Sequence, residues 1–262
     1  MKLATKELLK GSLHPKELEH LLSLAEKAYK TFQPTFSFFL SPPVLYEITR
    51  IVDQIHDINC ITYGGFLGAE RKRVAFQRTS ARSASVPPLP PITGVQIEGN
   101  FLFDRTTTDA FLIELSSEGI LSQEIGDIWL IGDRGAQLIC TPEAGFALDQ
   151  KERTLRTVNI KYQILETKQL RPPIQRSPKI INTIEASMRL DAITSAGFGI
   201  SRSKAVNQIK SGKLRVNWNT VKSASKLIKL GDQIQLERKG TLKIKSVEIT
   251  KKNRWRIELL RE

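Results

Sequence analysis

Cysteine is nearly absent from this chain, with Cys60 and Cys140 the only two in 262 residues. That excludes a disulfide scaffold or a cysteine-built zinc site, and it fits two buried thiols in a reducing cytoplasm. Histidine is almost as scarce. His14, His20 and His56 lack the H-x-x-x-H spacing that would put two imidazoles on one helical face, so no metal and no cofactor is expected. No run of about 20 apolar residues occurs, which argues against a transmembrane helix and membrane insertion. The opening MKLATKELLKGSLHPKELEH has no signal-peptide apolar core, and its acids are unlike a transit peptide, so a cytoplasmic monomer is expected. Neither the G-x-S-x-G of a nucleophile elbow nor the GK[ST] of a P-loop is present.

Acids are the other shortage. The chain carries +13, and the excess is uneven: residues 181–262 hold 18 Lys/Arg against 7 Asp/Glu, giving +11, while residues 1–180 carry +2. An imbalance confined to one part of a chain points to a polyanion bound there. Hydrophobic residues make up 40%, enough for a core in two or three domains.

Residues 1–82 read as a helical and β-hairpin region. Pro15 suits a first helical turn, and Leu18, Leu21, Leu22 and Ala25 form a stripe within helical residues 5–31. Pro42-Pro43 opens a second helix with Leu45, Ile48, Ile51, Val52 and Ile55 on one face, and Phe32, Phe36, Phe38 and Phe39 are expected to pack into a small core. Strands are expected at Ile61 and Tyr63 and from Val74 to Gln77. Between them, Arg71, Lys72 and Arg73 form a candidate secondary RNA contact. SASVPPLPP, residues 83–91, reads as a linker or long loop.

Residues 92–166 run strand (Val95 to Phe103), helix (Thr107 to Glu118, ended by Gly119), two strands (Asp127 to Ile131, Ala136 to Cys140), helix (Pro142 to Gln150), strand (Val158 to Leu165). That βαββαβ order predicts a ferredoxin-like middle domain. Residues 167–179, TKQLRPPIQRSPK, are expected to resist helix and strand and to act as a linker. The fold class is therefore α+β: a helical N-terminal region, a ferredoxin-like middle domain at 92–166 and a basic domain at 181–262.

The basic domain opens with RLDAITSAGFGISRSKAVNQIKSGKLRVN, residues 189–217. Leu190 and Ile193, then Ala205 and Ile209, give two short helices one buried face each. Gly197 is placed to stop the first helix, Ser201 to cap the second, and Gly212 to close it. Leu214 and Val216 alternate with Lys213, Arg215 and Asn217 as in a strand. In the tail, Trp255, Ile257 and Leu259 form a last strand, and a phase change near Ser246 implies a turn or bulge.

This stretch resembles the small RNA-binding domain first named from a ribosomal small-subunit protein, the alpha-L motif. The matching residues are Arg189-Leu190-Asp191, Gly197, Ser201-Arg202, Ala205, Ile209, Gly212, Val216-Asn217 and Gly231-Asp232. The usual Gly after the Asn is Trp218, which puts the tight Gly turn in question and sets an aromatic beside the basic surface. Together with Gly64-Gly65, Gly68 to Arg73, Glu124 to Ile128 and Thr250-Lys251-Lys252, the whole chain resembles the YlmH-like RNA-binding proteins and a photosystem II-associated group in cyanobacteria and plastids. The resemblance implies binding of structured RNA, ribosomal RNA or tRNA, on the large ribosomal subunit. It also implies a role in ribosome quality control or photosystem-linked translation.

The RNA-binding residues expected are Arg189, Ser201, Arg202, Lys204, Lys210, Lys213, Arg215, Asn217, Trp218 and Lys222. Arg189, Arg202, Lys204, Lys213 and Arg215 are expected to converge on one patch, with the first turn of the second helix favouring an anion. Two other readings stand beside this one. RLDAITSAG resembles the RLD-x-x-TSG of pseudouridine synthases, where the Asp is the nucleophile. Against it, Met188 replaces the preceding Gly, SRSKA follows instead of an apolar strand, and only 71 residues remain. Asp191 is better read as a structural partner of a nearby Arg or backbone N–H. The third reading is a protein assembly factor acting through residues 1–180.

Overall fold

The computed structural model describes residues 8–79, 88–173, 178–236 and 239–262. They form two compact units, Met1–Pro173 and Ile174–Glu262.

In the first unit, helix α1 (Pro15–Thr31) starts at a proline whose fixed φ suits the first turn, and it stops at Phe32 in the left-handed conformation, φ 58°. Its leucine stripe and the Val44, Ile48, Ile51 face of α2 (Pro42–Val52) pack on a sheet of β1 (Thr35–Phe36), β2 (Ile58–Tyr63) and β3 (Arg73–Arg78), ordered β1-β3-β2. Of the four phenylalanines, only Phe39 is fully buried, while Phe32 stays exposed beneath the Arg78 guanidinium. Part of the 83–91 linker, through residue 87, lies outside the described residues.

The second sheet of this unit has β4 (Thr93–Glu98), β5 (Ile125–Leu130), β6 (Gly135–Cys140), β7 (Glu152–Leu155) and β8 (Val158–Leu165), antiparallel in the order β5-β6-β4-β8-β7. Helices α3 (Thr108–Ser117) and α4 (Pro142–Leu148), capped by Thr107 and Thr141, cover the face that carries Val95, Ile97, Leu138, Ile160 and Tyr162. The expected order thus gains an edge strand, β7. ERTL needs only to hydrogen-bond β8 across a tight turn, and its one buried side chain left no apolar alternation to read. On the opposite face, Ile139 joins Phe39, Trp129 and Leu170 in a second core that seats the N-terminal segment. Residues 167–179 are more structured than expected of a linker. Thr167–Gln169 is a short 3-10 turn, and Leu170 is buried; residues 174–177 lie outside the described set.

The second unit is a six-stranded antiparallel sheet: β9 (Lys179–Glu185), β10 (Leu214–Val216), β11 (Asn219–Thr220), β12 (Gln233–Leu236), β13 (Gly240–Ile249) and β14 (Trp255–Arg261), ordered β11-β10-β12-β13-β14-β9. The expected irregularity near Ser246 is a register shift between Ile244 and Ser246. Strand β9 begins at the last residue of the expected linker and pairs with β14 from Lys179↔Arg261 to Glu185↔Trp255. Helices α5 (Leu190–Phe198) and α6 (Arg202–Lys210) pack Leu190, Ile193 and Ile209 against Leu214, Val216, Ile234, Leu242, Ile257 and Leu259.

Gly197 does not stop α5. It lies within the helix, and Gly199, at φ 61°, is the left-handed stop. Gly197 has a packing reason: a Cβ there would sit 2.3 Å from a methyl of the fully buried Leu242, so only glycine lets α5 lie this close to the sheet.

Candidate nucleic-acid interface

Asp191 organises the start of α5. Its side chain is almost fully buried, yet both oxygens are engaged. Arg189 donates from Nε to Oδ1 at 3.1 Å and from Nη2 to Oδ2 at 3.0 Å, Arg202 donates from Nη2 to Oδ1 at 3.2 Å, and Ala192 N–H donates at 2.8 Å. Burial alone would raise its pKa. The hydrogen bonds and charges of Arg189 and Arg202 outweigh burial and hold the carboxyl below its ordinary value. The two guanidiniums are themselves about half exposed, so one edge of each holds the carboxylate while the rest faces solvent. That pre-orients two cations for an outside anion at lower entropic cost than free side chains.

Ser201 caps α6 by accepting the Lys204 N–H at 3.3 Å. The cap uses the hydroxyl oxygen, so Ser201 acts on helix geometry. Lys204, Lys210, Lys213 and Lys222 are exposed and make no ion pair with a described residue. Lys204 and Lys210 are six residues apart, which at about 100° per residue separates them by roughly 120° around α6. Arg215 departs from the expected single patch. Its neighbours Leu214 and Val216 face the helices, so Arg215 is exposed on the open side of the sheet. The helix-side cations and Arg215 therefore sit on different faces, because strand alternation fixes the direction of Arg215 once the helices have chosen theirs.

Asn217 is fully used within the fold. Its Nδ2 donates to Asp232 Oδ1 at 2.8 Å, and its Oδ1 accepts the Gln233 N–H at 2.9 Å. Asp232 in turn accepts the Lys229 N–H at 2.8 Å. The VN and GD elements of the motif are thus two halves of one clamp between β10 and β12, with both ends of the Asn217 amide engaged in it.

The tight turn forms at Trp218 without the usual glycine. Asn217 (φ 48°) and Trp218 (φ 67°) are the two central residues of the β10–β11 hairpin, both left-handed. A left-handed tryptophan costs about 1–2 kcal/mol that glycine would not. Trp218→Gly is expected to raise Tm by a few degrees while weakening RNA binding by about 1–3 kcal/mol, if the half-exposed indole stacks on a base. Thermal melts and binding isotherms of one preparation measure both. A glycine variant that binds as tightly as the parent would remove Trp218 from the interface.

Two arginines of the candidate secondary contact are tied into the fold. Arg71 donates from Nε to the Ile125 carbonyl at 2.8 Å and from Nη2 to the Ser122 carbonyl at 2.9 Å. The N–H groups of Glu70 and Arg71 donate to the Asp127 carboxylate at 2.7 and 3.0 Å. Arg73 is buried and donates to the carbonyls of Ser37 and Pro91. Burial lowers the pKa of both arginines, partly offset by Asp127 and by Glu143 respectively. Their donors are spent on main-chain carbonyls, so Arg71 and Arg73 fasten the N-terminal segment to the middle sheet. Lys72 alone of the run remains partly exposed without such bonds.

Among the described residues, no group of His, Cys, Asp or Glu could hold a metal ion, and no helix is long and apolar enough to cross a membrane. Two family descriptions fit the chain: "YlmH, N-terminal" over residues 14–81 and "S4 domain" over residues 188–234. The chain carries a YlmH N-terminal domain and an S4 domain. The chain is similar to the ribosome-associated protein quality control protein P2 of Bacillus subtilis (strain 168), 26% identical over 227 residues, 86% of each chain. A solved structure, the cell division protein ylmH from Streptococcus pneumoniae, aligns with 15% identity and a TM-score of 0.47 over 59% of this chain and 93% of that one. The S4 segment contains the Asp191 arrangement, α6 and the Asn217 clamp, and it leaves β9, β13 and β14 outside.

Proposed function

We propose that this chain binds structured RNA, ribosomal RNA or tRNA on the large ribosomal subunit, through its S4 domain and without catalysing a reaction. The observation that carries the reading is the set of exposed cations around α6, with Arg189 and Arg202 pre-oriented by one buried carboxylate. The relative's ribosome association and quality-control name support a ribosome-linked role. The reading places the chain in the cytoplasm as a monomer. Three regions, 1–82, 92–166 and 181–262, are the units of this reading, the last providing the RNA grip. The photosystem link has no residue behind it and forms no part of the proposal.

The pseudouridine synthase reading needs Asp191 free to attack a base. Both of its oxygens are held by guanidiniums and a backbone N–H, and it is 3% exposed. These contacts support reading Asp191 as a structural acid at the start of α5.

The experiment is crosslinking in cells followed by sequencing of bound RNA, comparing the parent with Lys204→Ala/Lys210→Ala. The side chains of these lysines make no described hydrogen bond or ion pair, so the variant keeps the fold, whereas Arg202→Ala would also unpair Asp191. Large-subunit RNA or tRNA should be enriched for the parent and reduced several-fold for the variant. Equal recovery from both would sink the S4 surface as the grip.

A further inference from the structure

We infer that the tip of the β13–β14 hairpin is a second phosphate-binding point on the C-terminal unit, outside the S4 segment, fitting the backbone of the same folded RNA. The inference rests on the RNA-binding reading above and adds a site to it.

The residues of the tip, ITKKNRWR (249–256), hold four cations and no acid. Lys251, Lys252, Arg254 and Arg256 are all exposed. Among the described residues only Arg256 of the four makes an ion pair, with Glu248 at 3.8 Å, and that pair is itself exposed and weak. An acid-free basic run is usually a mobile tail, but this one is rigidly shaped. Thr250 N–H donates to the Arg254 carbonyl at 2.8 Å, Asn253 N–H to the Thr250 carbonyl at 2.9 Å, and Arg254 N–H to Thr250 Oγ1 at 3.1 Å. Asn253 adopts φ 53°, the left-handed residue that closes a three-residue hairpin loop. The lysines are therefore held on a fixed turn, and little backbone entropy remains to be lost on binding.

The sheet register places this tip near the S4 cations. Trp255 pairs with Glu185, and Glu185 stands four residues before Arg189. Four extended residues span at most about 14 Å, and a paired strand adds about 5 Å, so the base of the tip lies within roughly 20 Å of the Arg189 backbone. The direction of α5 agrees. Its C-terminal half packs on Leu242 and Leu259, at the other end of β13 and β14, so its N-terminus points toward the tip. The separation is a few nucleotides of RNA backbone, and no acidic residue lies in 249–256 to repel it. Positive charge on a narrow two-stranded ribbon suits phosphates lining a groove, which positions a folded RNA without reading its sequence.

The test uses the full chain and a labelled RNA stem-loop titrated at several salt concentrations. Lys251→Ala/Lys252→Ala/Arg254→Ala should keep the parent's Tm, because no described hydrogen bond or ion pair uses these side chains. Its affinity at about 0.1 M salt should fall roughly tenfold or more, and its salt slope should lose about one unit per phosphate contact removed. Lys251→Gln/Lys252→Gln, which preserves the turn's polarity, should lose about two units and guards against misfolding of the triple variant. If Lys204→Ala/Lys210→Ala loses affinity while both hairpin variants bind as the parent does, the hairpin site is overturned and the S4 reading stands. A parent that fails to bind the stem-loop at all overturns both.

Discussion

Raising salt from about 50 to about 200 mM is expected to weaken binding of this chain to structured RNA on the order of 1,000-fold, because each lysine or arginine that neutralises a phosphate releases counterions. The magnitude follows from the number of available contacts. Arg189, Arg202, Lys204, Lys210, Lys213 and Lys222 are all partly or fully exposed in the S4 domain. About six such contacts put the loss at the lower end of the range for strongly electrostatic binders. Arg215 adds to it only if the RNA also reaches the open face of the sheet. The charge distribution makes the companion result equally specific. Residues 178–262 alone should retain the steep dependence, whereas residues 1–173, drawn from the part of the chain with a near-balanced charge, should bind weakly. The C-terminal fragment has to begin before β9, since starting at the S4 boundary would strip the outer strand from β14. A parent affinity that changes less than tenfold over this salt range, or equal affinity of the two fragments, would show that the grip lies elsewhere.

Replacing Asp191 should cost stability and no chemistry. Asp191→Ala removes the acceptor for Arg189, Arg202 and the Ala192 N–H. Breaking a fully buried ion pair costs about 3–5 kcal/mol. Here the two arginines are about half exposed and can turn to water, so about 1–3 kcal/mol is expected, or a Tm lowered on the order of 10 °C. The pH dependence has a definite sign. The folded-state pKa of Asp191 is depressed below the unfolded value of about 3.9, so its stabilisation is complete above that value and is lost as pH falls through the folded pKa. The stability gap between the parent and Asp191→Asn should therefore hold steady from neutral pH to about 5 and shrink below about 4. A gap that stays constant down to about pH 2 would mean the carboxylate charge is not what stabilises the site. Detecting pseudouridine formed by the parent and not by the variant would overturn the non-catalytic reading.

Where the rule is local, the chain could be read without its fold. Ser201 caps α6 because a hydroxyl before a helix needs only the N–H groups of the next turn. Strand β8 matches its expected span, Val158 to Leu165, because alternation within one segment decides which side chains face the core. Asp191 was legible as an arginine partner because both arginines lie within the motif. The roles of Arg71 and Gly197 depend on groups far along the chain. Nothing near Arg71 in sequence announces that its guanidinium will meet the carbonyls of Ser122 and Ile125. Gly197 and Gly199 are equivalent helix stops on paper, and only Leu242, lying across α5, gives Gly197 its packing role.

The sequence by itself determined the α+β composition, the helix-turn-helix-strand order of the S4 unit and the concentration of positive charge in residues 181–262. Periodicity, caps and charge are written within a few residues of one another. Tertiary structure alone decided that Lys179–Glu185 is a strand, since a solvated segment becomes ordered only when an unpaired edge, here β14, offers it hydrogen bonds. It also decided that Arg215 faces away from the helix-side cations and that Asn217 is spent on Asp232. A cation's availability to a ligand depends on which face the core takes and which acceptors arrive from distant strands, and neither is a property of its own sequence neighbours.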